Sequence, residues 1–383
     1  MNHAPSRRSP RNEHQHGLTM VELLVALTLS SLIALAAIAA LTVARTGFTS
    51  VDAASQLRDN SRFASDLIQR LAMQAGFQDV VHATATKVGE IQVKVNIDSP
   101  VQPFVMGINN AILQTSLLNS TNDPFASSVD RTAANGGCTS TSDTACINGS
   151  DILILRYQSG GTNPNATTTD STMIDCQGNP ETTPPENRAD QITSVFHVAR
   201  SSAGEPALMC ATRSSSTGTW TSQPVIQGVE TFQVLYGVSG ASGATAGTAL
   251  PALSTSSALY SNNSIADRYF RADELKVTAG GSVTAAAASA ATLDNFRRVR
   301  SLRIGLLMKA AGTTAQDQVS QEFYPLGKLR DRSAETRPAE NGHSFLFTDR
   351  STAASPSTFS FPQDGRVRQT LTFTVYLRNV QLQ

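Results

Sequence analysis

One carboxylate, four cysteines and a few histidines are the residues of this 383-residue chain whose chemistry needs an explanation. The carboxylate is Glu22. It heads Leu23–Val43, a stretch without one charged side chain. A run of ~20 apolar residues suffices for a helix to cross a bilayer. A carboxylate at full membrane depth costs on the order of 2.5 kcal/mol or more, and less near the interface. Such a group calls for a partner of opposite charge, and the spacing offers one. Glu22 lies five residues after Gly17, and a cut after Gly17 would free an amine on Leu18.

The cysteines are Cys138, Cys146, Cys176 and Cys210. They form no C-x-x-C pair, and behind Gly17 only His82, His197 and His343 remain as imidazole ligands. That is not a zinc pattern. All four cysteines follow the apolar run, where an oxidising compartment would make an even count read as two disulfides. Four cysteines allow three connectivities; the sequence-local one, Cys138–Cys146 with Cys176–Cys210, is expected.

Catalytic motifs do not appear. There is no G-x-S-x-G, H-E-x-x-H or Walker A sequence, and each of those chemistries needs its residues at that spacing. His197 falls in a predicted strand and reads as structural. Trp220 flanks a Ser/Thr/Gly stretch and is expected in the core. Gly136-Gly137 and Gly160-Gly161 sit in polar loops as turn formers. The acids and arginines of 328–338 read as a solvated face. No enzymatic activity, metal or cofactor is expected. Of 30 basic and 30 acidic side chains, Arg7, Arg8, Arg11 and Glu13 precede Leu18, which leaves 27 and 29 behind it. A chain so near neutrality lacks the broad basic footprint of a nucleic-acid binder.

The elements that would position Glu22 follow. Residues 1–17 form a basic, polar leader, and 18–43 an apolar helix. Arg45-Thr46-Gly47 is a polar junction where the helix is expected to bend or loosen, since glycine costs ~1 kcal/mol there relative to alanine. Residues 44–76 continue it as an amphipathic helix. Leu57, Ala64, Leu67 or Ile68, Leu71 and Ala75 recur at steps of three and four, one buried face. Gly76 fits the C-cap. Residues 77–383 are expected as a β-rich head with strands at Ile91–Val95, Asp151–Tyr157, Ile192–Val198, Ala207–Ala211, Val225–Tyr236 and Val299–Lys309. Gln369–Arg378 is the clearest period-two strand. Between them, 97–150, 158–190, 237–265, 279–292 and 311–368 read as loops, with a short helix expected over Ala266–Leu275. The fold class is α+β, an antiparallel sheet with long loops packed on the amphipathic half-helix. The basic leader stays on the cytoplasmic side, which places the head outside the inner membrane.

Gly17-Leu18-Thr19-Met20-Val21-Glu22 ahead of an uncharged run resembles the class III signal of type IV pilins. The resemblance implies that prepilin peptidase cuts after Gly17 and that the new N-terminus at Leu18 is methylated. It implies further that Glu22 pairs with the N-terminal amine of a neighbouring subunit. Leu18 departs from the phenylalanine usual there. Leu57–Phe77, Asp151–Tyr157, Val225–Gly237, Val299–Met308 and the closing strand to Asn379 are together similar to the PilW family of minor pilins. That likeness implies a type IV pilin-like fold and a subunit at or near the pilus tip. Its implied partners are other minor pilins, the major pilin, the inner-membrane assembly platform and a tip adhesin. The head would be periplasmic in a Gram-negative-type envelope before the subunit enters the pilus.

The alternatives differ at identifiable residues. A secretory signal has an apolar core of ~7–15 residues, shorter than this one and without an acid at its start. A plain anchor needs neither Gly17 nor Glu22. A J-type minor pseudopilin of type II secretion shares the signal and helix but is usually much shorter. A membrane-anchored adhesin or ligand-binding domain would use the long loops.

Overall fold

The computed structural model describes residues 19–79, 85–88, 91–94, 102–113, 147–163, 166–186, 188–213, 218–241, 243–251, 265–313, 321–326, 359–361 and 364–379. The chain divides into two units, Met1–Asp52 and Ala53–Gln383. Helix α1, Met20–Gln74, runs through both, and Gly47 lies inside it rather than at a break.

In the first unit the helix buries nothing. Ile33 and Leu35 are each 70 % exposed, so no described residue covers the most apolar segment. In the second unit one face is buried: Ala53, Leu57, Ser61, Ala64, Ile68, Leu71 and Ala72. Of the two candidates at the third step, Ile68 takes the core position and Leu67 packs at its margin. The helix ends at Gly76, which has φ +82°, a conformation glycine adopts without penalty. Gly76 N–H donates to Arg156 O at 3.0 Å. A β-carbon there would stand 2.7 Å from Asn379 O. Asn379 Nδ2 in turn donates to Met73 O at 3.0 Å, so the helix end is tied into strands distant in sequence.

Thirteen strands are seen among the described residues. β1 (Ala85–Val88) and β2 (Ile91–Lys94) pair as a hairpin. β3 (Val105–Ile108), β4 (Ile152–Tyr157), β5 (Ile192–Arg200), β6 (Pro206–Arg213) and β7 (Trp220–Gln227) form an antiparallel sheet in sequence order. β8 (Val229–Val238), β9 (Arg268–Phe270), β10 (Val299–Thr313) and β13 (Arg366–Tyr376) form a second, ordered β13-β10-β8-β9. β11 (Gln321–Phe323) and β12 (Phe359–Phe361) pair with each other. Two short helices, α2 (Ala272–Leu275) and α3 (Ala285–Arg297), lie between β9 and β10.

The head therefore has two principal sheets where one was expected. β3 rises from the Pro- and Asn-rich stretch read as loop, and the segment Val225–Tyr236 is divided at Gly228 between the end of β7 and most of β8. α3 occupies part of the segment read as small and polar. Leu302, Ile304, Leu306 and Met308 alternate on β10 and share one core with Leu57, Ala64, Ile68 and Leu71 of α1. Each fully buried aliphatic side chain is worth ~1.5–3 kcal/mol relative to exposure.

Two features join the sheets. The first is the passage from β7 to β8 at Gly228, with φ +79°. Its N–H donates to Pro206 O at 2.9 Å, and its carbonyl accepts from Lys309 N at 2.8 Å. A β-carbon at this crossing would collide with Lys309 O. The second is Asp151, ahead of β4. It is buried, its N–H donates to Phe232 O at 2.8 Å, and its carboxyl oxygens accept from Asn110 N at 2.8 Å and Val234 N at 2.9 Å. Burial pushes that carboxyl up to about 7 against the lowering effect of the two N–H bonds. Nearby, Asn295 of α3 is fully used. Its amide donates to Thr248 O and Leu275 O and accepts from Leu250 N, at 2.9–3.0 Å.

Candidate functional site

Glu22 sits in the first turn of α1, exposed. Thr19 precedes the helix and caps it. The Thr19 hydroxyl accepts from Glu22 N–H at 3.3 Å and donates to Glu22 Oε2 at 3.0 Å. The Thr19 N–H gives the same oxygen a second bond at 2.9 Å. This is a capping box, in which two helix-start N–H groups are satisfied reciprocally. The sequence carries its signature, Thr-x-x-Glu ahead of an apolar run, a signal beyond the charge of Glu22 alone. The box fixes where the carboxylate stands on the helix end.

Behind it, α1 is long and apolar enough to cross a membrane. Its hydroxyls cause no polar penalty. Thr28 bonds Val25 O at 2.8 Å, Ser31 bonds Thr28 O at 2.8 Å, and Thr42 bonds Ala39 O at 2.8 Å. Glu22 is the one charged group between Thr19 and Val43. The geometry can thus do two things: insert an apolar helix into lipid or among like helices, and present one anion at its entrance.

The other expected site residues fall as follows. Gly17, Leu18, Cys138 and Cys146 lie outside the described residues, as do His82, His343, Gly136, Gly137 and residues 328–338. Cys176 and Cys210 are joined by a disulfide with Cα atoms 5.8 Å apart, as the sequence-local pairing expected. It links the loop before β5 to β6, and Gln177 beside it donates to Cys210 O and Thr221 O, each at 3.1 Å. His197 is buried in β5 with Nε2 3.0 Å from Ser222 Oγ of β7. Burial holds its pKa down at about 4. Among the described residues no group bonds its Nδ1, and none supplies the acid that a Ser-His-Asp arrangement uses. Trp220 opens β7 and is buried. Gly161 N–H donates to Asp79 Oδ2 at 2.8 Å, a loop tie. Among the described residues, no three His, Cys, Asp or Glu side chains are grouped to hold a metal.

Charge also gathers around Glu205 and Glu230. Glu205, in the turn between β5 and β6, meets Lys309 Nζ at 2.7 Å and Arg366 Nη1 at 3.0 Å. Arg368 forks onto Glu230 at 2.6 and 3.1 Å and onto Asp364 at 2.6 and 2.7 Å. The bond from Arg368 holds Asp364 down at about 2. The network spans both sheets and pairs every charge in it, so it reads as a seam rather than a binding site.

Residues 13–38 match the family model for the prokaryotic N-terminal methylation motif. Residues 195–379 match the model described as Type IV Pilus-assembly protein W. A PilW-type region thus stands behind a prepilin-type N-terminal signal. The first match takes in Gly17, Thr19 and Glu22 and enters the apolar helix; the second runs from within β5 past β13. It includes Val225–Gly237, Val299–Met308 and the closing strand, whereas Leu57–Phe77 and Asp151–Tyr157 stand ahead of it. Among solved structures, a type IV-like pilin from Thermus thermophilus aligns at 12 % identity and a TM-score of 0.34, over 85 % of this chain and 98 % of that one. A search of curated proteins found no match. The apolar helix and the methylation motif point to membrane anchoring and to a pilus, and the motif implies processing by prepilin peptidase.

Proposed function

We propose that this chain is a minor pilin, a structural subunit that joins other minor pilins to start a type IV pilus and sits at or near its tip. One observation carries the reading: an apolar helix exposed on every side, with a single anion fixed at its entrance, ahead of a PilW-type head. Such a helix needs lipid or a bundle of like helices. Transfer from the first to the second is the work of assembly.

In this reading, cleavage after Gly17 frees the Leu18 amine, which is then methylated. Glu22 pairs with the amine of the neighbouring subunit, and the low dielectric around them makes the attraction strong. Helix packing supplies adhesion and the charge pair sets register. The leader lies in the cytoplasm and the head in the periplasm. The loops of the head, including one pinned by Cys176–Cys210, are the surfaces for other pilins or a tip adhesin.

The test is a pair of variants in a piliated host that makes this chain. Glu22→Ala is expected to be processed yet absent from sheared filaments, with twitching reduced. Gly17→Ala is expected to run as the heavier, uncleaved form. Normal incorporation and motility with Glu22→Ala would refute the reading, as would an unshifted band with Gly17→Ala.

A further inference from the structure

Thr19 does what the other described hydroxyls of the apolar helix do not. Thr28, Ser30, Ser31, Thr42 and Thr46 each turn back to a carbonyl three or four residues earlier, which only hides the hydroxyl. Thr19 Oγ1 instead donates forward to a carboxylate and accepts that residue's N–H. Both of its own contributions, hydroxyl at 3.0 Å and N–H at 2.9 Å, reach the same oxygen, Oε2 of Glu22. The other oxygen, Oε1, takes no bond from a described residue.

The bonded atoms belong to residues 19 and 22 alone, so a cut between Gly17 and Leu18 leaves the box intact. A carboxylate has roughly four lone-pair sites. Two are used by Thr19, both on Oε2, and no described residue takes those of Oε1. A glutamate without the box would sample several rotamers and point its charge along the helix, across it or away. With the box, Oε2 is held to the helix start and Oε1 is left for a partner.

We propose that Thr19 is a positioning residue for assembly, clamping Oε2 of Glu22 so that Oε1 is presented to the alkylammonium of a second subunit. The clamp is kept in the filament rather than exchanged, because the ammonium and Thr19 use different oxygens. This inference rests on the reading of Glu22 as the partner of a neighbour's amine.

The experiment compares wild type with Thr19→Val, Thr19→Ser and Glu22→Ala in the full chain, in cells that make the filament. The quantity is the share of cleaved subunit recovered in sheared filaments, by quantitative mass spectrometry. Counting per cleaved subunit removes any effect on the peptidase. Valine keeps the β-branch and volume but loses the hydroxyl; serine keeps the hydroxyl. Thr19→Val is expected to lower incorporation by roughly fivefold, the equilibrium factor of a typical helix cap. Thr19→Ser is expected to match wild type, and Glu22→Ala to be excluded. Wild-type incorporation of Thr19→Val alongside exclusion of Glu22→Ala would overturn this inference and leave the Glu22 reading standing. Normal incorporation of Glu22→Ala would overturn both. Serine performing no better than valine would also overturn it, because the hydroxyl would then not be the acting group.

Discussion

Removing the bridge between Cys176 and Cys210 has a magnitude that can be worked in advance. The two residues are 34 apart in sequence. Closing a loop of that size removes denatured-state entropy worth about 3.8 kcal/mol at 25 °C in the chain-entropy model. Both cysteines are buried, so alanine is the right replacement; serine would add two hydroxyls to the core and confuse the reading. Urea unfolding of the full chain in detergent, followed by fluorescence of Trp220, is a direct assay, since Trp220 is the only tryptophan. The double variant Cys176→Ala/Cys210→Ala is expected to unfold with its stability lower by ~3–4 kcal/mol. The slope against urea should rise, because the unlinked chain exposes more surface when unfolded. A loss below about 1 kcal/mol would refute the reasoning, because an entropic cross-link of this loop length cannot be that weak unless the denatured state already holds the loop together.

His197 gives a pH-dependent prediction. It is buried neutral with its pKa lowered to about 4, while an unfolded histidine titrates near ~6.5. Below that value the unfolded chain takes up the proton first, so stability falls as pH drops from 6.5 towards 4, by up to ~3 kcal/mol. His197→Gln, which keeps a group for Ser222, should flatten that limb, and equal slopes in both proteins would contradict it. Arg368→Met should cost about 3–5 kcal/mol, the usual penalty when one partner of a buried pair is lost, since Glu230 and Arg368 are each only 6 % exposed. In a double-mutant cycle with Glu230→Met, the pair should lose less than the two single losses together; simple additivity would count against direct coupling.

Much of this architecture is written locally. α1, β4, the β5–β6 hairpin, β8, β10 and β13 carry strong apolar periodicity, and the structure places a strand or helix at each. The elements that escaped have physical reasons. β7 is an edge strand, where Ser222, Gln223 and Pro224 are tolerated because one side needs no ladder bonds. β3 is four residues long, and its meaning comes from neighbours: at Gly107 a side chain would collide with the Tyr236 hydroxyl. α3 anchors itself through Ala288, Thr292, Asn295 and Phe296, a face too small and polar to register as amphipathic. Division into two sheets depends on which strands meet across long separations, and nothing local encodes that. At the helix entrance the opposite holds. The capping signature of Thr19 and Glu22 was legible, but the charge of Glu22 drew the eye from the threonine that places it.

The bond from Asn379 to Met73 spans 306 residues, and β13 closes the sheet by pairing with β10. Neither can form until residues near 370–379 have been synthesised and, in the proposed topology, moved across the membrane. In that topology the anchor is in lipid long before, with the core face of Leu57, Ile68 and Leu71 still waiting for its sheet. Contacts so distant in sequence fold slowly, and an unfinished sheet is an invitation to misassociation. If the head is exported as proposed, the interval between translocation and closure is when a chaperone or a partner head would matter most.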